Sequence, residues 1–541
     1  MNAAAKAKPW ETFFQPTRTL VLGFAAACFV FFCLLPAGYM LVQSFAGPAG
    51  SLSLNNYRQL LAEPRHYTLL ANSLLLAAGS AALAALIGIP LGFMLARVDV
   101  PAKRIARIVL LTPLVIPPYV LALAWIYVGG SAGFGSAFVR RDLLSRWTYS
   151  IAGAVIVLGL SYFPIVMLAA EFAARNVAAH LEEAALLIAK PGAVFRRITA
   201  PLIAPGIVAA TLLVFVLAMA EFGVPGLLRV PVFTTEVFTA FAALYDFGRA
   251  TALAVPLLMT ILAAGFAVTL LLGDRAITSP RAVRTGLQLN HKGWKGATVA
   301  VVGVVILLSV ALPIAVLVRE SFGAWGSAAT VGDSGRAVCN SLLISTCGAT
   351  LIVMIGAILG YCVARMSKKA RISAELVSLV SFAVPGTVVA IGLIGLWNRP
   401  GLPGDLYKSM VIIVIACVAR FLPLATLILA AGVRQIPPST EEAAEVAGAG
   451  WFRIFVRIIV PQLRGGLAAA WVIAFIFSIG ELGATILVAP PGESTLPVRI
   501  YTLLANTTSN QVAALALIQA AIVLAPLILL AIFVNRKGEA V

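Results

Sequence analysis

The chain has 541 residues, of which 61% are hydrophobic and 11% charged, with a mean hydropathy of +1.01. A soluble chain carries roughly 25% charged residues to cover its surface, so a water-facing globular architecture is excluded and lipid is the expected solvent. The net charge of +18 is assigned to membrane topology and attraction to anionic lipid; no nucleic-acid partner is expected, because no basic run is interleaved with aromatics on a polar segment.

Crossing roughly 30 Å of hydrocarbon takes about 20 apolar residues. Such runs occur near 19–45, 68–96, 105–128, 149–172, 202–228 and 250–273, and again near 296–318, 340–364, 373–397, 409–431, 463–488 and 511–534. The expected fold class is all-α, a polytopic membrane protein of twelve spans. The first run is too long for the h-region of a cleavable signal peptide and reads as a retained helix. Basic residues gather in alternate connections, among them Arg97, Lys103, Arg104 and Arg107 after the second run and Arg365, Lys368, Lys369 and Arg371 after the eighth. This asymmetry puts both termini in the cytoplasm. The six cysteines lie in or beside apolar runs without a CxxC pair and read as small buried hydrophobes.

The sequence repeats itself. Asn72-Ser73-Leu74-Leu75 corresponds to Asn340-Ser341-Leu342-Leu343, Ala96-Arg97 to Ala364-Arg365, and Val115-Ile116-Pro117 to Ala383-Val384-Pro385, all 268 residues apart. Further on, Glu183-Ala184-Ala185 corresponds to Glu442-Ala443-Ala444 at an offset of 259, and Pro201 to Pro461 and Glu221 to Glu481 at 260. The domains expected are a first half at 1–273, a basic cytoplasmic linker at 274–295 that reads as a fusion joint, and a second half at 296–541. Six crossings per half give both halves one orientation, with a pseudo-twofold axis along the membrane normal. A pathway on that axis is lined by the same spans from each half.

An unusual loop separates the fourth and fifth spans of each half, at 173–201 and 432–461. It contains EEAALLIAKPGAVFRRITAP at 182–201 and EEAAEVAGAGWFRIFVRIIVP at 441–461. Carboxylates followed by alanines favour a short helix, and Ser439 with Glu442 fits a capping box. Gly448-Ala449-Gly450 in one copy and Lys190-Pro191-Gly192 in the other end the helix, and a basic amphipathic stretch follows. A single such loop reads equally as an interfacial connector. Two copies at equivalent places argue for a docking element whose alanine face lets another protein approach closely.

At these residues the chain resembles the permeases of binding-protein-dependent ABC importers, whose hallmark is a cytoplasmic E-A-A-x-x-x-G-x9-I-x-L-P loop. The second copy fits at Glu442, Ala443, Ala444, Gly448, Ile458 and Pro461, with Val460 for the leucine. In the first, Ala189 or the nearby Gly192 stands for the glycine and the spacing is one residue shorter. The resemblance implies a type I importer permease fold in the bacterial inner membrane, two ATP-binding partner subunits and a periplasmic substrate-binding protein. It implies a coupling role for Glu182, Glu183, Ala184, Ala185 and Gly192, and for Glu441, Glu442, Ala443, Ala444, Gly448 and Pro461. A fused chain of this length with PPGESTLPVRIYTLL at 490–504 looks most like the ferric-iron permeases. Thiamine, 2-aminoethylphosphonate and polyamine permeases are alternatives within the class.

Ionisable groups inside spans are functional candidates. Glu221 and Glu481 fall toward the extracellular ends of the fifth and eleventh spans, and read either as a gate at a pore mouth or as helix-end carboxylates in water or paired with an arginine. Arg420 lies mid-span, with Ser161 as its first-half counterpart. It pairs with Glu481 in one reading and faces the pathway in the other, where it would favour an anionic cargo. Pro113, Pro117-Pro118, Pro164 and Pro385 interrupt apolar helices. The chain contains no Gly-Lys dipeptide and hence no G-x-x-x-x-G-K-[ST] loop, so ATP hydrolysis is expected on a partner and no cofactor on this chain. His66, His180 and His291 are widely separated and give no metal-ligand spacing. A secondary transporter driven by an ion gradient is the rival from another class; it calls for acidic residues at mid-depth, which the spans scarcely offer.

Overall fold

The computed structural model describes residues 15–46, 51–99, 101–130, 140–272, 292–322, 324, 328–504, 506 and 508–538. Most of the expected linker, 274–291, lies outside them. The main helices of the first half are α1 (Thr19–Gln43), α2 (Pro64–Arg97), α3 (Lys103–Val115), α4 (Pro118–Gly129), α5 (Ile151–Arg175), α6 (Ala179–Leu186), α7 (Pro191–Met219), α8 (Phe233–Ala242) and α9 (Phe247–Leu272). Those of the second are α10 (Trp294–Ser321), α11 (Ser334–Arg365), α12 (Lys368–Ala383), α13 (Gly386–Trp397), α14 (Val411–Arg434), α15 (Pro438–Val446), α16 (Trp451–Gln462), α17 (Arg464–Ile479), α18 (Leu496–Leu504) and α19 (Ser509–Gly538). Among the described residues no strand is present, only one isolated bridge between Ala46 and Leu52. Apolar side chains such as Leu86, Phe266, Val304, Leu343 and Met354 point outward, as a lipid-facing surface requires.

Nine of the described helices are long and apolar enough to cross a membrane, and the number rises to twelve when each of three bent pairs counts as one span. The spans expected at 105–128 and 373–397 are thus not straight: α3 meets α4, and α12 meets α13, at 92° in both halves. The cause is local. Proline drives the preceding residue out of the helical region, and Ile116 and Val384 are extended, with ψ of 128° and 126°. Pro113 and Pro164, by contrast, sit inside continuous helices. The fifth and eleventh spans end at Met219 and Ile479, about nine residues before the sequence-expected ends at 228 and 488, because each chain turns at the following Glu221 or Glu481.

Four prolines receive a different accommodation. Val30–Leu34, Phe195–Thr199, Leu307–Ala311 and Phe455–Ile459 form π turns, each ending two residues before Pro36, Pro201, Pro313 or Pro461. The widened turn relieves the clash between a proline ring and the carbonyl four residues back.

The first span of each half lies on the other half: α1 packs against α11, α13 and α14, and α10 against α3 and α4, as well as against α19 of its own half. The repeated Asn-Ser pair near the start of α2 and α11 ties down a later helix. Ser73 Oγ accepts the Phe233 N–H at the start of α8 at 2.9 Å, and Ser341 Oγ accepts the Leu496 N–H at the start of α18 at 2.6 Å. Both satisfy an orphan donor of a helix N-terminus. Cys33 and Cys417 are buried as expected, whereas Cys339 and Cys347 are exposed on the outer surface of α11, because a thiol is apolar enough to face lipid.

Candidate functional site

Each expected loop folds as a short helix, a break and a second helical stretch running into the next span. In the second half α15 begins at Pro438 with Pro437 at its N-cap and no side-chain cap. The capping box of Ser439 and Glu442 is therefore not formed; Ser439 already lies in the first turn. The C-terminus matches expectation closely. Gly448 has φ +81°, its N–H reaches the Glu445 carbonyl at 2.9 Å, and the Ala449 N–H reaches the Ala444 carbonyl at 3.0 Å. This is a Schellman motif with the left-handed residue that glycine supplies. In the first half Gly192 does not play that part: it lies in the short helix Pro191–Val194, and Ala189 occupies the place equivalent to Gly448.

The two acidic residues of each loop divide. Glu183 and Glu442 are exposed, with Ala184 and Ala443 beside them, and Ala185 and Ala444 are partly buried. Glu182 and Glu441 are buried, each against an arginine from the end of α2 or α11. The outward faces of the two loops also differ. Leu187 and Ile188 are 86% and 91% exposed in the first, while Glu442, Glu445 and an 82% exposed Val446 make up the second. Pro461 is exposed below the π turn that leads toward α17.

A second constellation lies between the halves. Arg420 Nη1 donates to Glu481 Oε1 at 2.6 Å, and the Ala484 N–H donates to the same oxygen at 2.8 Å. Glu221 accepts from the Gly223 N–H at 2.9 Å and from the Tyr162 hydroxyl at 3.2 Å. All of these acidic and basic side chains face one cavity of about 90 Å³, lined also by Pro117 and Phe421, the size of a few water molecules. Glu481 is thus paired with Arg420, the arginine-paired reading of a helix-end carboxylate, and Glu221 faces the same cavity. Ser161 is fully buried, donates to the Val157 carbonyl at 2.8 Å and is not among the lining residues. Room for the guanidinium comes from Gly386, where a Cβ would stand 2.0 Å from Arg420 Nη1 and 2.6 Å from Glu481 Oε1. The first half has Pro118 and Ser161 where the second has Gly386 and Arg420. Sequence reasoning does not single out Gly386, nor the partners of Glu182 and Glu441; the repeated Ala-Arg pair was the available signal for the latter. Among the described residues no group of three or more His, Cys, Asp or Glu side chains is arranged to hold a metal.

A pseudo-symmetric helical membrane protein, with a surface helix repeated in each half and a charge cluster where the halves meet, is by class a transport permease. Residues 88–320 and 352–538 match the family described as binding-protein-dependent transport system inner membrane component, and the chain belongs to that family. It is 26% identical over 481 residues to the Fe(3+)-transport system permease protein FbpB 2 of Haemophilus influenzae, covering 86% of this chain and 89% of that one. It is 23% identical over 440 residues to the ferric transport system permease protein FbpB of Actinobacillus pleuropneumoniae, covering 77% of this chain and 64% of that one. Over 165 residues it is 35% identical to the molybdenum transport system permease protein ModB of Mycobacterium tuberculosis, covering 30% of this chain and 62% of that one. The chain is thus a multi-pass inner-membrane component of an ABC importer that works with a substrate-binding protein.

Proposed function

We propose that this permease passes ferric iron from a periplasmic binding protein to the cytoplasm by alternating access, powered by two ATPase subunits that dock on α6 and α15. Glu183 and Glu442, with the alanines beside them and the Gly448 turn, form the docking faces; both chain termini then lie in the cytoplasm with the loops. The observation that carries the cargo assignment is the charge balance of the axial cavity. Arg420 is matched by Glu481, so it offers no free cation to an anionic cargo. Glu221 remains as a surplus carboxylate, and the cluster is formally negative, which favours passage of a cation. The named cargo of the ferric relatives agrees with that sign. Pathway roles follow for Glu221, Glu481 and Arg420.

The test is uptake of radioactive ferric iron by cells whose only ferric importer carries this chain. Glu221→Gln is expected to lower uptake more than tenfold while the permease remains in the membrane and keeps its ATPase. Unchanged iron uptake in that variant, or uptake of phosphonate instead of iron by the wild type, would contradict the assignment.

A further inference from the structure

The arginines that end α2 and α11 have no part in the reading above, and they hold the loops. Arg97, 2% exposed, grips Glu182 through Nη2–Oε1 and Nη1–Oε2 contacts, both 2.9 Å. The Thr199 hydroxyl donates to the same carboxylate at 2.7 Å. In the second half Arg365 Nε donates to Glu441 Oε1 at 2.9 Å, its Nη2 also reaches that carboxylate, and the Tyr361 hydroxyl donates to Oε2 at 2.7 Å. Arg365 Nη2 further donates to the Ile436 carbonyl at 3.1 Å, at the entry to the loop. A multidentate arginine–carboxylate pair fixes direction as well as distance, so neither coupling helix can shift without drawing on the helix that anchors it.

Those anchoring helices are long. α2 has 34 residues and α11 has 32, about 50 Å of rod at 1.5 Å per residue. At the end remote from the arginine, each rod holds a second helix through a repeated serine: Ser73 the start of α8, Ser341 the start of α18. The two held helices meet at one residue. The Phe222 ring lies against Phe238 of α8, with centroids 4.9 Å apart, and against Tyr501 of α18, at 6.0 Å. Phe222 adjoins Glu221, whose carbonyl also accepts from the Thr234 hydroxyl of α8 at 2.8 Å.

We infer that α2 and α11 are the levers of this permease: Arg97 and Arg365 take up the displacement of the coupling helices through Glu182 and Glu441, and Ser73 and Ser341 deliver it to the elbow at Phe222 and Glu221. These are positioning residues, and the inference rests on the coupling role of α6 and α15 proposed above. Two attachment points recur at equivalent places in both halves, four in all, which a purely local packing need at one loop does not require. A hydroxyl also donates to the carboxylate in each half, from Thr199 in one and from Tyr361 in the other.

The experiment uses the full chain copurified with its ATPase and reconstituted in lipid nanodiscs. Spin labels at Tyr245, on a loop of the first half, and Leu402, at the start of a short helix of the second, both exposed, report the distance change produced by ATP and vanadate. Arg365→Gln is expected to keep the ATPase bound and hydrolysing ATP but to lose the distance change. The charge-exchanged pair Arg365→Glu with Glu441→Arg should restore it. Ser73→Ala combined with Ser341→Ala, which leaves the loops untouched, should give the same uncoupling from the other end of the rods. A wild-type distance change in Arg365→Gln, or in the double serine variant, overturns the lever. Failure of any ATPase to copurify with the wild-type chain overturns the coupling reading instead, and the lever with it.

Discussion

Arg420 is partly buried, and it is accommodated there because the buried Glu481 receives it and Gly386 clears space for it. Removing one partner of a buried ion pair leaves an uncompensated charge and costs about 3–5 kcal/mol. Arg420→Ala should therefore lower the thermal midpoint of the purified protein, and the double variant with Glu481→Ala should recover most of the loss. Gly386→Ala is expected to destabilise through the same cluster, since its Cβ would stand 2.0 Å from the guanidinium; a midpoint equal to wild type would show that the pair relaxes elsewhere. The sequence carries part of this site. Pairing of Arg420 with Glu481 is one of two readings available from charge inside a span, but the need for Gly386 depends on how closely α13 approaches α14 and leaves no local mark. Glu182 and Glu183 are likewise indistinguishable in sequence; only the fold sends one inward to Arg97 and leaves the other exposed.

At the scale of elements, α6 and α15, the two proposed docking helices, differ in surface chemistry as well as in how they end. The first presents Leu187 and Ile188, the second Glu442 and Glu445. Ion pairing at exposed sites weakens with salt, because the Debye length falls to about 3 Å at 1 M, whereas apolar contact does not. ATPase retention by a chain carrying Leu187→Ser and Ile188→Ser should thus become salt-sensitive, and retention by one carrying Glu442→Gln and Glu445→Gln should not. Equal salt dependence in a pull-down would refute the distinction. Gly448→Ala places a Cβ at φ +81°, a strain of about 1–2 kcal/mol; it should fray α15 and weaken ATPase retention while leaving membrane insertion intact. Helices, loop breaks and prolines are legible here because apolar periodicity, alanine and proline act within a few residues. The 92° angle of the broken spans is not, because Pro117 and Pro385 dictate only that a break occurs, and the packing of neighbours sets its direction. The unformed capping box has the same lesson at shorter range: the helix takes Pro437 as its N-cap, two residues too early for Ser439 to cap it.

For the whole molecule, duplication is legible because its paired motifs keep constant offsets, yet the interleaving of the halves is not. The first span of either half is equally apolar wherever it leans, and only the fold places α1 beside α13 and α10 beside α4. A chain cut within 274–291 should consequently assemble and transport when both pieces are coexpressed, whereas either half alone should be degraded, having lost the span that covers it. The central claim is that ATP hydrolysis on partner subunits, acting through the two loops, moves ferric iron through this chain. It is tested most directly in proteoliposomes holding the permease with its ATPase, supplied with iron-loaded binding protein inside the lumen that corresponds to the periplasm. Iron should leave the lumen only when ATP is present outside, should ignore a proton uncoupler, and should be retained when Glu442→Lys and Gly448→Asp are combined. Release that proceeds without ATP and stops with the uncoupler, or that persists in the double loop variant, would contradict the account.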